Sequence, residues 1–244
     1  MISAKDNGYW AMEYLSNIEL YYSETEKFLG NSVTINGDDF RHITKVMRHS
    51  TGDEIYVTNG GGKIFQSEIS SVGKTNLTAL VKKEYSYENK FRDITFCIPR
   101  LKNPDRFEFM IEKSVELGIT NFLVFDSERA VAKTSRIQRW NKIALAAMKQ
   151  SLRSYLPEIK EANSLKEVVK HKVEIILFEQ NAEKNISSLK IVPGKKYFFI
   201  FGPEGGLGDE ELKLVDKGHI YNLTENRLRT ETAVAMCAAV LANK

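Results

Sequence analysis

The pattern of apolar and polar residues from Ile18 to Lys83 predicts a series of short β-strands. Strand-like segments with apolar or alternating residues lie at positions 19–22, 32–35, 54–57, 63–65 and 77–81. Turn residues separate them, and the Gly-rich segment 59–62 favours a hairpin turn over a phosphate-binding loop. Several short strands at this spacing indicate a small barrel. One helix is predicted over residues 38–48, which begin with acidic and end with basic side chains.

The periodicity changes after the polar stretch 84–93, which indicates a linker. Apolar strand-like segments at 94–98, 122–125, 174–178, 197–201 and 221–223 alternate with helical segments at 105–117, 136–152, from 209 onward, and 230–242. Continuous apolar strands between helices are typical of a mostly parallel sheet that is covered on both faces. The sequence therefore predicts an N-terminal extension at residues 1–18, a β-barrel domain at 19–88 and an α/β domain at 89–244.

A glycine-rich segment, residues 202–208, directly follows one of the predicted strands. Ligands of parallel α/β sheets bind beyond the carboxyl ends of the strands. Glycines let the backbone approach a ligand closely, and Pro203 stiffens the loop. The spacing does not match GxGxxG, Walker A or GxSxG, which argues against an ordinary dinucleotide site, a P-loop NTPase and an α/β-hydrolase.

A second segment of interest, residues 224–233, leads into the last predicted helix. We expect Thr230 to be the N-cap of that helix and Glu231 to lie in its first turn. The helix is apolar nearly all round, so it has to be buried against the core of the chain or against a second subunit. A third strand end, Leu177-Phe178-Glu179, offers polar groups after a buried strand but is not specific alone.

Charge and composition narrow the choice of partner only slightly. The chain has 244 residues with 42% hydrophobic and 27% charged side chains and a net charge of +3, which suits a folded domain of ordinary composition. The basic residues are concentrated, because segment 129–160 holds eight of them and one acidic residue, Glu158. On charge alone, this basic segment is either a solvated helix face or a phosphate-contacting surface.

The cysteines and the apolar runs indicate a cytoplasmic protein. Cys97 and Cys237 lie far apart between apolar residues, so we expect reduced core side chains and no disulfide. No segment has the length of a transmembrane helix, and no cluster has the spacing of metal ligands. We therefore expect neither a membrane nor a metal among the partners.

The two C-terminal motifs together resemble the RsmE family of 16S ribosomal RNA uridine-N3 methyltransferases, which belongs to the SPOUT class. These motifs are Gly202-Pro-Glu-Gly-Gly206 after a hydrophobic strand and Leu228-Arg-Thr-Glu-Thr-Ala233 at the start of the last helix. Further matching segments are 42–48, 52–54, 105–108, 112–118, 127–129 and the stretch from Arg139 to Arg153. The resemblance covers residues 18–243.

The resemblance implies a PUA-like RNA-binding barrel followed by a SPOUT-type domain with a knotted parallel sheet. It also implies S-adenosylmethionine as cofactor, a homodimer, and methylation of one uridine of 16S rRNA in the decoding region of the small ribosomal subunit. Neither composition nor periodicity indicates a knot. The implied cofactor-binding residues are Leu177, Phe178, Glu179, Gly202, Pro203, Glu204, Gly205, Gly206, Leu223, Asn226, Leu228, Arg229, Thr230 and Ala233.

Three side chains are candidates for the chemistry of methyl transfer to uridine N3. The reaction needs the methyl donor held in line with N3 and the weakly acidic imide proton removed. We expect Arg229 to stabilise negative charge on the uracil oxygens, and Glu231 or Glu204 to orient the base or take the proton. A purely structural capping role for Glu231 is an equal alternative.

With the family resemblance, the basic segment is predicted to contact RNA. The expected RNA-binding residues are Arg136, Arg139 and Arg153 in that segment and Arg41, Lys45 and Arg48 in the barrel, where Lys45 and Arg48 share one face of the predicted helix. Two rival functions stay open. One is methylation of a different RNA by the same class of enzyme, and the other is an inactive RNA-binding or ribosome assembly factor that kept the fold.

Overall fold

The structure is a computed structural model, and it describes residues 15–129 and 135–243. The chain divides into two units between Glu88 and Asn89. Each unit has its own sheet, so the two are described separately.

The N-terminal unit contains a six-stranded, mostly antiparallel sheet in the order β1-β4-β5-β6-β3-β2. Its strands are β1 (Leu20–Tyr22), β2 (Phe28–Leu29), β3 (Ser32–Asn36), β4 (Glu54–Thr58), β5 (Lys63–Val72) and β6 (Asn76–Ser86). Alternate side chains of these strands form one buried cluster, as period-two alternation predicts. The segment between β4 and β5 is a hairpin turn with positive φ at Gly60 and Gly62, which confirms the prediction for the glycine run.

The predicted helix 38–48 forms only in part. It begins as α1 (Gly37–Arg41) and then widens into a π-helical turn over His42–Val46, where Met47 N donates to the His42 carbonyl at 3.0 Å. Arg48 has a φ of 60°, so it lies outside any regular helix. The i, i+3 spacing of an α-helix therefore does not apply to Lys45 and Arg48, and the expectation of a shared face on that basis is wrong.

The C-terminal unit contains a seven-stranded parallel sheet in the order β11-β13-β10-β12-β7-β8-β9. Its strands are β7 (Ile94–Pro99), β8 (Asn121–Phe125), β9 (Glu158–Ala162), β10 (Glu174–Phe178), β11 (Lys184–Asn185), β12 (Tyr197–Phe201) and β13 (Ile220–Asn222). The helices are α2 (Pro104–Glu116), α3 (Ile137–Gln150), α4 (Leu165–Val168), α5 (Asp209–Leu212) and α6 (Thr230–Ala242). The parallel sheet alternating with helices confirms the predicted α/β class.

Aromatic side chains fill the centre of this unit. Phe96 lies between Phe199, at a centroid distance of 6.1 Å, and Phe201, at 5.2 Å. All three are at most 1% exposed, and burying each ring contributes about 2 to 3 kcal/mol of transfer free energy. Because these packed rings belong to β7 and β12, they position the loops that follow the carboxyl ends of the two strands.

Several elements differ from the sequence expectation, among them the short β2, β11 and α4, which were not predicted. Strand β9 was not predicted, because three of its five residues are charged and only Ile159 and Ala162 are buried. The polar stretch 84–93 is not all linker, since β6 extends to Ser86. Both cysteines are buried and neither forms a disulfide, as predicted. Across the described ranges no helix is long and apolar enough to cross a membrane.

Candidate functional site

One cavity of the C-terminal unit lies where three neighbouring strands end. Strands β13, β10 and β12 are adjacent and parallel, so their carboxyl ends meet at one edge of the sheet. A cavity of about 530 Å³ opens there. Its walls are Phe178, Glu179, Gln180, Asn181, Phe201, Gly202, Pro203, Glu204, Gly205, Gly206, Leu223, Thr224, Asn226, Arg227, Leu228, Thr230 and Ala233. The structure therefore brings the three predicted strand ends together around one space.

The glycine loop, residues 202–208, forms one wall through its backbone. Gly206 N donates to the Pro203 carbonyl at 2.9 Å, which closes a tight turn. Gly206 has a φ of 72°, a conformation that disfavours any side chain with a Cβ. The turn thus presents bare peptide groups to the cavity.

Thr230 links the two C-terminal motifs. Its Oγ1 donates a hydrogen bond to the Gly202 carbonyl at 2.8 Å, and the residue is 5% exposed. The N-cap of α6 is Arg229, with extended φ and ψ of −73° and 155° and no side-chain cap. The prediction that Thr230 is the N-cap is wrong, because its hydroxyl is used by the glycine loop instead of by the helix backbone.

The aromatic side of the cavity is formed by two stacked rings. Phe178 and Phe201 lie 5.1 Å apart between centroids at an interplanar angle of 21°. Leu177 does not line the cavity, although it was among the expected cofactor-binding residues. Successive strand residues point to opposite faces, so Leu177 is directed into the core cluster that contains Cys97 and Ile200.

Several cavity residues were missed by the sequence analysis. Gln180, Asn181, Phe201, Thr224 and Arg227 line the cavity in addition to the expected residues. Each lies within a few positions of a strand end, and that position is the signal that could have identified them. The Glu179 N–H donates to the Tyr221 carbonyl at 3.0 Å, which brings the loop after β10 against β13.

The three candidate catalytic side chains have different surroundings. Glu204 is exposed and lines the cavity. Glu231 is 8% exposed and does not line it; its Oε1 is 3.6 Å from Arg106 Nε, and its Oε2 has no hydrogen-bond partner among the described residues. Arg229, which was also expected to bind the cofactor, is exposed at the N-cap of α6 and is not among the residues that line the cavity.

Within the basic segment, two of the three arginines predicted to contact RNA have partners within the protein. The Arg139 guanidinium forms a bidentate pair with Glu108, and this hydrogen bond raises the pKa of Arg139. Arg153 donates from Nε at 3.1 Å and from Nη2 at 2.7 Å to the Glu116 carbonyl, at the end of α2. Both arginines are exposed, but their guanidinium groups are held by structural contacts.

Arg136 lines a second, smaller cavity of about 110 Å³ that also includes Arg100, Lys102 and Trp140. Arg100 is 7% exposed and donates to Asp126 and to Glu161, each at 2.6 Å. Burial lowers the pKa of Arg100, but the hydrogen bonds to these carboxylates outweigh it and raise the pKa overall. Arg100 therefore stays protonated, but the two carboxylates balance its charge, so the cationic character of this cavity comes from Lys102 and Arg136.

The expected RNA-binding residues of the N-terminal unit are all exposed. Arg41 pairs with Asp38 on the same helical turn. Lys45 lies in the π-helical turn, and Arg48 follows it with its positive φ. Among the described residues, no group of three or more His, Cys, Asp or Glu side chains is arranged to hold a metal ion.

Comparison with known proteins decides the family. Residues 88–242 match the model of the RNA methyltransferase domain, and residues 35–82 match that of the RNA methyltransferase PUA domain. The ribosomal RNA small subunit methyltransferase E of Bacillus subtilis is 30% identical over 235 residues, which are 88% of this chain and 91% of the relative. The chain belongs to the RsmE family of RNA methyltransferases.

Solved structures agree with this membership. A probable rRNA-methyltransferase from Porphyromonas gingivalis superposes with a TM-score of 0.81 at 26% identity, covering 93% of this chain and 98% of that one. The ribosomal RNA small subunit methyltransferase E of Neisseria gonorrhoeae, solved bound to S-adenosyl methionine, has a TM-score of 0.79 at 25% identity, with 93% and 97% covered. This RsmE-family chain therefore has the SPOUT-type α/β fold preceded by a PUA-like domain.

Proposed function

We propose that this protein uses S-adenosylmethionine to methylate N3 of one uridine in the decoding region of 16S rRNA. The observation that carries the proposal is the cavity at the ends of β10, β12 and β13, because both family motifs form its walls. The B. subtilis relative is named a ribosomal RNA small subunit methyltransferase, which supports the substrate. The N. gonorrhoeae relative was solved bound to S-adenosyl methionine, which supports the cofactor.

The cavity fits a nucleoside cofactor in size and in chemistry. Its volume of about 530 Å³ lies within the roughly 300 to 1,000 Å³ of small-molecule sites. Phe178 and Leu228 offer apolar surface for a base, Glu179 offers a carboxylate for hydroxyl groups, and the turn at Gly206 offers backbone groups without steric hindrance. When bound, S-adenosylmethionine supplies an electrophilic methyl group on a sulfonium sulfur.

Glu204 is the carboxylate that we assign as proton acceptor. As the new bond from N3 to the methyl carbon forms, the imide proton of the base has to leave, and Glu204 faces the cavity with an exposed side chain. To Arg229, exposed at the start of α6, we assign the stabilisation of negative charge on the uracil oxygens. Glu231 is turned toward Arg106 on α2, which supports a positioning role for it.

RNA contacts are proposed on both units. In the C-terminal unit the wall of the small cavity has two exposed cationic side chains, Lys102 and Arg136, which suit a backbone phosphate. In the N-terminal unit Lys45 and Arg48 are exposed near the π-helical turn. We retain Arg41, Arg139 and Arg153 as weaker candidates, because each already has a partner within the protein.

We further propose a cytoplasmic homodimer that acts on the small ribosomal subunit. Helix α6 carries half-buried apolar side chains, among them Met236 and Val240, and Phe109 on α2 is 46% exposed. Helices α2 and α6 pack against each other, so these side chains belong to neighbouring elements of one unit. Apolar surface of this kind favours a second subunit as its partner.

Transfer of a radiolabelled methyl group tests the proposal. Purified protein with labelled S-adenosylmethionine is offered small ribosomal subunits, large subunits and bulk tRNA, all from cells that lack the endogenous methyltransferase. We expect label in 16S rRNA alone. Label in another RNA identifies a different substrate, and no label despite calorimetric binding of the cofactor shows a non-catalytic RNA-binding protein.

A further inference from the structure

The loop after β8, residues 126–129, reaches the glycine loop after β12 although the two strands are not neighbours. Strand β7 lies between them in the sheet. The β8 loop therefore crosses the end of β7 to make its contacts. At its start Asp126 accepts a hydrogen bond from the Arg100 Nε at 2.6 Å, which fixes the loop to the end of β7.

Glu211 of α5 joins the two loops with a buried carboxylate. Its Oε2 accepts from Ser127 Oγ and from Gly208 N, each at 2.9 Å, and its Oε1 accepts from Glu128 N at 3.1 Å. Glu211 is only 4% exposed. Three donors converge on it, which suits a carboxylate because that group only accepts.

A simple helix cap explains only one of these bonds. Glu211 is the third residue of the short helix α5, and its bond to Gly208 N is the ordinary contact of such a residue with the N-cap backbone. The bonds to Ser127 and to Glu128 connect positions 84 and 83 residues apart in the chain. These two bonds add nothing to the helix, and they join the β8 loop to the glycine loop.

Arg129 forms a second connection between the same loops. Its Nη1 donates to the Gly205 carbonyl at 3.2 Å. Gly205 lines the proposed cofactor cavity, whereas Arg129 does not, so this contact is made to a residue of the cavity wall from outside the lining. The glycine loop is therefore held at Gly202 by Thr230, at Gly205 by Arg129 and at Gly208 by Glu211.

We propose that Glu211 is a positioning residue for the cofactor: by holding Gly208 against Ser127 and Glu128, it keeps the glycine loop in the conformation that binds S-adenosylmethionine. The inference rests on the proposed function only for the identity of the ligand. A loop fixed before binding loses less conformational entropy when the ligand arrives, so its fixation increases affinity. Glu211 itself does not line the cavity, so it acts through the loop.

Calorimetric titration of the full-length protein with S-adenosylmethionine tests the inference. Glu211→Gln replaces one acceptor oxygen by an N–H group, which then faces one of the three donors. Because one or two hydrogen bonds to a charged group are lost, we expect the Kd for S-adenosylmethionine to rise about tenfold. The matched control is Glu210→Gln, whose exposed carboxylate pairs only with Lys213 among the described residues. We expect the control to bind like the wild type.

Steady-state kinetics separate positioning from a general loss of structure. We expect Glu211→Gln to raise KM for S-adenosylmethionine while kcat at saturating cofactor and KM for RNA stay within about twofold of the wild type. Ser127→Ala removes one donor, and we expect it to raise the Kd for S-adenosylmethionine less than Glu211→Gln does. In the double variant, we expect the loss of binding free energy to be smaller than the sum of the two single losses.

The outcomes distinguish this inference from the proposed function. Wild-type protein that does not bind S-adenosylmethionine contradicts the proposed function. Wild-type protein that binds it, together with a folded Glu211→Gln variant of unchanged Kd, overturns the positioning role. Additive effects of the two substitutions show that Ser127 and Glu211 act separately, which also contradicts the inference.

Discussion

The Thr230 hydroxyl donates a hydrogen bond to the carbonyl of Gly202 at a distance of 2.8 Å. This bond joins the first residue of α6 to the first residue of the glycine loop, 28 positions earlier in the chain. Both residues line the cavity, so one contact fixes the relative position of two of its walls. The sequence shows only that the two motifs follow each other along the chain, whereas the structure shows that the Thr230 hydroxyl connects them.

Replacing Thr230 by valine tests the importance of this bond. Valine keeps the shape of threonine but leaves the Gly202 carbonyl without its donor, which costs about 1 to 3 kcal/mol. We expect a lower free energy of unfolding in urea and a Kd for S-adenosylmethionine raised about tenfold. Thr230→Ser is expected to restore most of both. The control is Thr232→Val on the same helix, where the side chain is exposed and small changes are expected.

The positive φ of Gly206 predicts that a side chain at this position destabilises the protein. Alanine at a φ of 72° costs about 1 to 2 kcal/mol, because its Cβ crowds the following carbonyl. We expect Gly206→Ala to lower the midpoint of urea unfolding measurably. Gly205→Ala serves as the comparison, since its added Cβ meets its nearest neighbour, Arg129, only at an ordinary 3.7 Å. Equal losses in the two variants would argue against the conformational explanation.

The cationic cavity predicts a specific salt dependence of RNA binding. Each phosphate contact contributes about 0.7 to 0.9 to the slope of log affinity against log salt. We expect Lys102→Ala and Arg136→Ala each to weaken binding to 16S rRNA and to reduce that slope by about one. Lys142→Ala removes an exposed charge elsewhere on α3 and is expected to change the slope less. An unchanged slope in both cavity variants would remove this cavity from the RNA surface.

Arg153 is expected to act on stability more than on RNA binding. Its two hydrogen bonds satisfy the Glu116 carbonyl at the last residue of α2. We predict that Arg153→Ala lowers the free energy of unfolding by about 1 to 2 kcal/mol, since that carbonyl loses its charged donor. The RNA affinity of the folded variant should stay within about twofold, as measured by filter binding. A tenfold loss of affinity at unchanged stability would instead favour a direct RNA contact.

The two candidate carboxylates are separable by substitution. We expect Glu204→Gln to lower kcat by about 100-fold or more, with cofactor affinity nearly unchanged, because a general base is lost from the cavity. Glu231→Gln removes the charge that faces Arg106, so we expect a change in stability with a smaller effect on kcat. Rapid-quench measurement of a single turnover reports the chemical step directly. The reverse ranking would assign the proton to Glu231.

Local chemistry in the sequence was sufficient for much of the fold. The hairpin at Gly60 and Gly62, the apolar strand β12 and the helix α6 follow from turn residues and periodicity, and the observed α6 has the predicted limits. Strand β9 could not be predicted in the same way. Its two buried residues, Ile159 and Ala162, become buried through tertiary packing, such as that of Ala162 in one cluster with Leu165 and Val168 of α4.

The candidate site was predictable in position but not in its connections. Strand ends, glycines and the family resemblance pointed to the cavity wall, and twelve of the expected cofactor residues line it. The roles of Thr230 and Leu177 depended on side-chain direction, which motif spacing does not determine. Glu211 gave no signal beyond an acidic helix start, because its partners at Ser127 and Glu128 come from a strand two places away in the sheet.

Nucleoside analysis of 16S rRNA by mass spectrometry tests the central claim most directly. Small ribosomal subunits from cells without the endogenous methyltransferase are incubated with the protein and S-adenosylmethionine, and the rRNA is digested and mapped. The account predicts one methyl group per 16S rRNA, on N3 of a single uridine of the decoding region. A methyl group on another atom or nucleotide, or none although the protein binds the cofactor, would contradict it.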